Sequence, residues 1–60
     1  MNVQKISQMA RLMIRAHGER ALVEVARRQA QEERRGNRAE AENWQKVRSS
    51  INNRRGAKQT

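Results

Sequence analysis

The sequence predicts an all-α protein, in which an antiparallel helical hairpin carries an N-terminal helix packed on it. Three observations support this fold class. The chain of 60 residues contains no proline and is rich in Ala, Arg, Gln and Glu, which favour helices. Apolar residues recur at i, i+3 and i+4 spacing rather than in alternation. Internal glycines at positions 18 and 36 divide the chain into three segments.

The first predicted helix covers about residues 3–17. Ile6, Met9 and Met13 lie at helical spacing and form one apolar stripe. Gly18 follows directly, at a position where helices favour a residue that tolerates a positive φ. The stripe and the glycine together define the helix and its end.

The second predicted helix covers about residues 19–35. Its apolar stripe, which includes Leu22 and Val25, occupies only the first half. Residues 31–35 contain no apolar side chain, so we expect this end to project beyond the core.

The third predicted helix covers about residues 38–53. Gly36 suits the end of the second helix, and Asn37 suits the N-cap of the third. Trp44 and Ile51 keep the helical spacing. Because only two residues separate the second and third helices, we expect them to fold back as an αα-hairpin. Trp44 and Ile51 then face the apolar stripe of the second helix.

We expect one small domain over residues 1–53 and a basic, disordered tail over residues 54–60, where only one residue is apolar. Beyond the first methionine, the chain has twelve large apolar side chains (Leu, Ile, Val, Met and Trp). A chain of this size buries only about 60% of its unfolded surface. The sequence therefore predicts low stability and favours completion of the core by a partner.

Catalysis and metal binding are not indicated by the sequence. The chain has no Cys, Asp or Tyr, and its one imidazole is His17. Because these three residue types are absent and only one histidine is present, the sequence indicates neither a nucleophile with a positioned base nor a cluster of metal ligands. We expect a protein that is not an enzyme and has no catalytic residues, no cofactor, no metal and no small-molecule substrate.

A cytoplasmic location is expected from two features. Cysteine is absent, which fits a reducing compartment. No apolar run approaches the ~18 residues of a membrane-spanning helix, because Lys5, Arg11 and Arg15 interrupt the most apolar segment.

Docking on a protein partner is the first functional prediction. We expect a non-catalytic accessory or regulatory subunit that binds a larger protein complex, or a second copy of itself, through an apolar helix face. The candidate interface residues are Met9, Leu12, Met13 and Ile14. The alternative for the same residues is burial in the chain's own core.

Nucleic-acid binding is the alternative prediction, because the net charge of +8 attracts phosphate. The candidate residues for nucleic acid or an acidic partner are Arg27, Arg28, Arg34, Arg35, Arg38, Arg54, Arg55 and Lys58. The single aromatic residue leaves little for base stacking. Binding of Lys5, Arg11 and Arg15 to an anionic membrane surface is less favoured.

The placement of the charges favours the protein partner over nucleic acid. Residues 1–17 and residues 54–60 each hold three basic residues and no acidic one, whereas the helical middle is nearly balanced. The basic excess therefore lies at the two ends of the chain rather than on the predicted hairpin.

Several short motifs lie along the middle of the chain: Ala16-His17-Gly18-Glu19-Arg20-Ala21, Val25-Ala26-Arg27-Arg28, Gly36-Asn37, Ala41-Glu42-Asn43-Trp44, Val47 and Ile51. With these motifs, residues 10–51 resemble a group of small alphaproteobacterial helical proteins of unknown function. The resemblance implies an all-helical fold and a bacterial cytoplasmic setting, and it implies no activity or site residue.

Overall fold

The computed structural model describes residues 2–56, with side chains described over residues 2–54. All regular structure in residues 2–56 is helical, and no strand occurs there, so the predicted all-α class is confirmed. The elements are α1 (Val3–His17), a 3-10 turn (Gly18–Arg20), α2 (Ala21–Arg34) and α3 (Arg38–Gly56).

Helix α1 begins and ends with local hydrogen bonds. The side chain of Asn2 caps its start, because Asn2 Oδ1 accepts a hydrogen bond from the Lys5 backbone N–H at 2.8 Å. At the other end, the backbone N–H of Gly18 donates to the Ile14 carbonyl. Gly18 has φ 57° and ψ −124°, a combination open to glycine and strained for other residues. The helix bounds coincide with the predicted residues 3–17.

Helix α2 begins two residues later than predicted. The 3-10 turn occupies the first positions of the expected helix, and α2 itself starts at Ala21. Its end has the hydrogen bonds of a Schellman motif: the Asn37 N–H donates to the Glu32 carbonyl at 2.9 Å, and the Gly36 N–H donates to Glu33 at 3.1 Å. This helix ending requires a residue with positive φ, and Gly36 adopts φ 78° without the strain that a side chain would cause.

Helix α3 extends three residues beyond its predicted end at residue 53. The side chain of Asn37 accepts from the Glu40 N–H at 3.4 Å at its start, as the N-cap prediction requires. The helix continues to Gly56, into the segment expected to be a disordered tail. Arg54 and Arg55 are good helix formers, and their charge suits a helix C-terminus. The remaining tail residues, 57–60, lie outside the described residues.

All three helices contribute to one apolar core. The most extensive contact joins α2 and α3, and α1 packs on both, with more of its contact on α3. Half-buried Ile6, Met9, Ile14 and Leu22 pack around this core. The buried residues of this core cluster are Ala10, Met13, Ala21, Val25, Trp44, Val47 and Ile51, and Ala41 is buried as well.

Trp44 is the largest side chain of the core, and only 9% of its surface is exposed. It belongs to the same cluster as Val25 and Ile51, as the sequence predicts, while Leu22 packs against that cluster. The guanidinium carbon of Arg28 lies 5.5 Å from the centre of the Trp44 ring, within the range of a cation–π contact. An arginine of α2 therefore covers part of the main apolar residue of α3.

Within residues 2–56, no helix has both the length and the apolar character required to cross a membrane.

We predict that Trp44→Ala lowers the melting temperature strongly. Replacing a buried Trp by Ala costs about 3–5 kcal/mol. A chain of this length has a total stability of only about 3–9 kcal/mol on the usual per-residue scale. Leu12→Ala is the matched control, because Leu12 is 55% exposed and its loss should change stability by less than about 0.5 kcal/mol. Thermal melting followed by circular dichroism measures both, and equal melting curves would contradict the packing of Trp44.

We also predict that Gly18→Ala destabilises the chain by about 1–3 kcal/mol through backbone strain alone. A Cβ added at Gly18 meets no atom within 4 Å, so no steric contact contributes to this cost. Gly36→Asn is the control, since asparagine tolerates a positive φ at a helix end. Urea denaturation should show the larger loss for the change at Gly18, and an unaffected midpoint would argue against the φ and ψ described there.

Candidate functional site

The predicted docking residues do not form one exposed face. Met13 is buried with 5% of its surface exposed, and Met9 and Ile14 are half-buried against the core. Only Leu12 is largely exposed. The expectation of an open apolar face is therefore corrected: three of its four residues serve the chain's own packing, because α1 supplies one side of a core that α2 and α3 cannot complete.

The opposite side of α1 is basic. Lys5, Arg11 and Arg15 are exposed and lie at helical spacing around the exposed Leu12. Residues 1–17 contain no acidic residue. We refer to Lys5, Leu12, Arg11 and Arg15, together with Arg54 of α3, as the α1 basic face.

Arg54 joins this face from the far end of the sequence. Its guanidinium Nη2 donates a hydrogen bond to Ser7 Oγ of α1 at 2.9 Å. Arg54 also lines an open groove of about 570 Å³ together with Arg11 and Arg15. The other lining residues are Gln8, Leu12 and Ile14. Three guanidinium groups therefore share one groove that has no carboxylate in its lining.

The fold brings basic residues of two acid-free segments onto adjoining helices. Residues 19–42 contain all six acidic residues and six basic residues, so this segment is neutral. Residues 1–18 and 43–60 contain eight basic residues and no acidic one. Six of these eight lie on α1 and α3 among the described side chains, and the two helices pack together, although Glu42 also lines a groove between them.

Two of the arginines predicted around the turn between α2 and α3 are paired with glutamates. Arg27 lies 3.5 Å from Glu24, and Arg35 lies 3.6 Å from Glu32, measured from guanidinium nitrogen to carboxylate oxygen. Both pairs join neighbouring turns of one helix. The arginines are exposed, so the pairs add little stability, but the glutamates reduce the positive potential that a phosphate would meet there.

The other turn arginines lie in different environments. Arg28 lies over the Trp44 ring. Arg34 lines a shallow groove on α2 together with Arg27 and Arg35, whereas Arg38 lines a different groove that also contains two glutamates. Three of the five predicted arginines therefore share one groove, and two of those three are already paired with glutamates.

The three basic residues predicted to lie in the tail are described by the structure to different extents. Arg54 lies on α3 and contacts α1 through Ser7. Arg55 is on the helical backbone of α3. Lys58 lies outside the described residues, so its predicted role stays a prediction.

The expectation that the protein is not an enzyme stays a prediction. Among the described residues, no group of three or more His, Cys, Asp or Glu side chains could hold a metal ion. His17 is half-buried at the end of α1.

The sequence prediction placed the basic residues of α1 only in a less favoured membrane role. The signal that could have found them was the lack of any acidic residue in 1–17, on the helix face opposite the apolar stripe. The adjacency of Arg54 could not be predicted, since it depends on how α3 packs on α1.

Comparison with known proteins adds no relative: the chain matches no protein-family model, no curated protein and no solved structure.

Proposed function

We propose that this chain is a small, non-catalytic protein that binds the phosphate backbone of nucleic acid through the α1 basic face. The observation that carries the proposal is the groove in which Arg11 and Arg15 of α1 lie beside Arg54 of α3, with no carboxylate in its lining. Each lysine or arginine that neutralises a phosphate releases counterions, which gives such a surface affinity without base recognition.

We also propose that α2 and α3 form an antiparallel hairpin and that α1 packs on this hairpin with its apolar stripe. The Schellman ending of α2 and the capped start of α3, separated by a short turn, support this arrangement. The bacterial cytoplasmic setting that the resemblance implies is part of the same proposal.

A membrane surface fits the α1 face less well. A helix that lies on a membrane buries its own apolar side among the lipids. Here Met13 and Ala10 of that side are buried in the protein core, and Leu12 is the one large apolar residue on the basic side. Membrane binding would therefore require α1 to leave the core.

Docking as an accessory subunit on a larger protein, or on a second copy, is the second candidate function. Three exposed apolar side chains support it: Val3 is 83% exposed, Leu12 is 55% exposed and Val23 is 50% exposed. An acidic partner surface would complement the α1 basic face around Leu12. This candidate replaces the four-residue docking face predicted from the sequence with a smaller contact.

We predict that Arg11→Gln with Arg15→Gln weakens duplex binding and lowers its salt dependence. Each phosphate contact contributes about −0.9 to the slope of log K against log salt concentration, so losing two contacts should reduce the slope by about 1.8. Fluorescence anisotropy with a labelled duplex of about 20 base pairs, at about 50–200 mM salt, measures both quantities.

The matched control is Arg27→Gln with Arg34→Gln, which removes the same charge from α2. We expect this control to keep nearly the full slope. Equal weakening of the two double variants would refute a localised face. Absence of nucleic-acid binding by the unmodified chain, with stoichiometric recovery of one acidic protein, would instead support the accessory-subunit function.

A further inference from the structure

The groove between α1 and the last turns of α3 has the properties of a binding site for backbone phosphate groups. Arg11, Arg15 and Arg54 line it, and its volume of about 570 Å³ exceeds that of one phosphate. A guanidinium is planar and binds two phosphate oxygens at once, which a lysine ammonium cannot do in the same geometry. A phosphate-binding site at this position rests on the proposed function. It extends that function by specifying the class of nucleic acid and the residues that bind its phosphates.

Ser7 fixes one of the three guanidinium groups. The hydrogen bond of 2.9 Å from Arg54 to Ser7 Oγ uses one of the five N–H donors of the arginine. The other donors remain for a ligand in the groove. Because the long Arg54 side chain is already held in place, binding loses less side-chain entropy there than at a freely moving arginine.

The groove also has an apolar part. Leu12 is 55% exposed, and the half-buried Ile14 packs on the core. Both side chains line the groove beside the guanidinium groups. A sugar next to a bound phosphate would cover these carbons, so the groove can hold a phosphate together with its sugar.

The chain offers no exposed ring for base stacking. Trp44 is its one aromatic residue, is 9% exposed, and has Arg28 over its ring at 5.5 Å. Proteins that hold single strands use exposed aromatic rings on which successive bases stack. The α1 basic face instead presents charges on two packed helices. Arg11 and Arg15 lie one helical turn apart, about 6 Å along α1, and Arg54 lies beside them, so three charges face a duplex that carries one phosphate charge per about 1.7 Å of its axis.

We infer that this groove binds neighbouring backbone phosphates of a double-stranded nucleic acid, independently of base sequence. Arg11, Arg15 and Arg54 bind the phosphate oxygens, Leu12 contacts the adjoining sugar, and Ser7 is a positioning residue that holds Arg54.

The first test compares duplexes with single strands. The full chain is titrated with two labelled duplexes of unrelated sequence and with their separated strands, at one salt concentration. We expect the two duplexes to bind equally, and about tenfold more tightly than the strands, which lack a stacking surface on this protein. Strands that bind as tightly as duplexes, or a strong sequence preference, would overturn the inference alone. No binding to any of the four would overturn the proposed function as well.

The second test separates charge from positioning. Arg54→Gln should lower the salt slope by about 0.9, whereas Ser7→Ala should weaken duplex binding several-fold with the slope unchanged, because it removes no charge. Arg54→Lys should keep the slope but not the full affinity. Arg34→Gln is the control with the same charge loss as Arg54→Gln, and we expect it to keep both slope and affinity.

Circular dichroism of each variant checks that the helices persist. If Arg54→Gln and Arg34→Gln bind the duplex with equal affinity and equal salt slope while both remain folded, the groove is not the phosphate-binding site. If Ser7→Ala binds like the unmodified chain, Ser7 does not position Arg54.

Discussion

The packing of α1 against α2 and α3 is the contact on which the rest of the structure depends. One side of α1 supplies Ala10 and Met13 to the core, and the other carries Lys5, Arg11 and Arg15. Burial of the first side fixes the exposure of the second, because the two lie on opposite faces of one helix. The same contact places Arg54 beside Ser7. Folding energy and the placement of charge are therefore linked through one helix.

Much of the fold follows from local rules that act within a few residues. Gly18 and Gly36 have positive φ and end α1 and α2, and Asn37 caps α3, as their positions in the sequence predict. The deviations have longer-range or subtler causes. The 3-10 turn at Gly18–Arg20 has no separate sequence signal, and the extension of α3 to Gly56 is supported by a hydrogen bond between residues 47 positions apart.

The candidate site was less predictable than the fold. Clustering along the sequence favoured the arginines near Gly36, but Arg27 and Arg35 have glutamates one helical turn away that reduce their potential. Met13 is predicted to lie in an interface but is buried in the core. Sequence spacing cannot separate these cases, because an apolar stripe has the same spacing whether it docks on a partner or fills the chain's own core. Only the packing of α1 distinguishes these cases. Local concentration of charge, rather than the net value of +8, is what the fold adds to the sequence.

Chemical-shift mapping by ¹H–¹⁵N NMR, with a short duplex added to the full-length chain, tests the double role of α1 most directly. If α1 binds phosphate while it stays packed, the signals of its exposed side and around Arg54 shift, while those of Val25, Val47 and Trp44 stay in place. Shifts centred on the turn at Gly36, or loss of the core signals as α1 undocks, would contradict this double role.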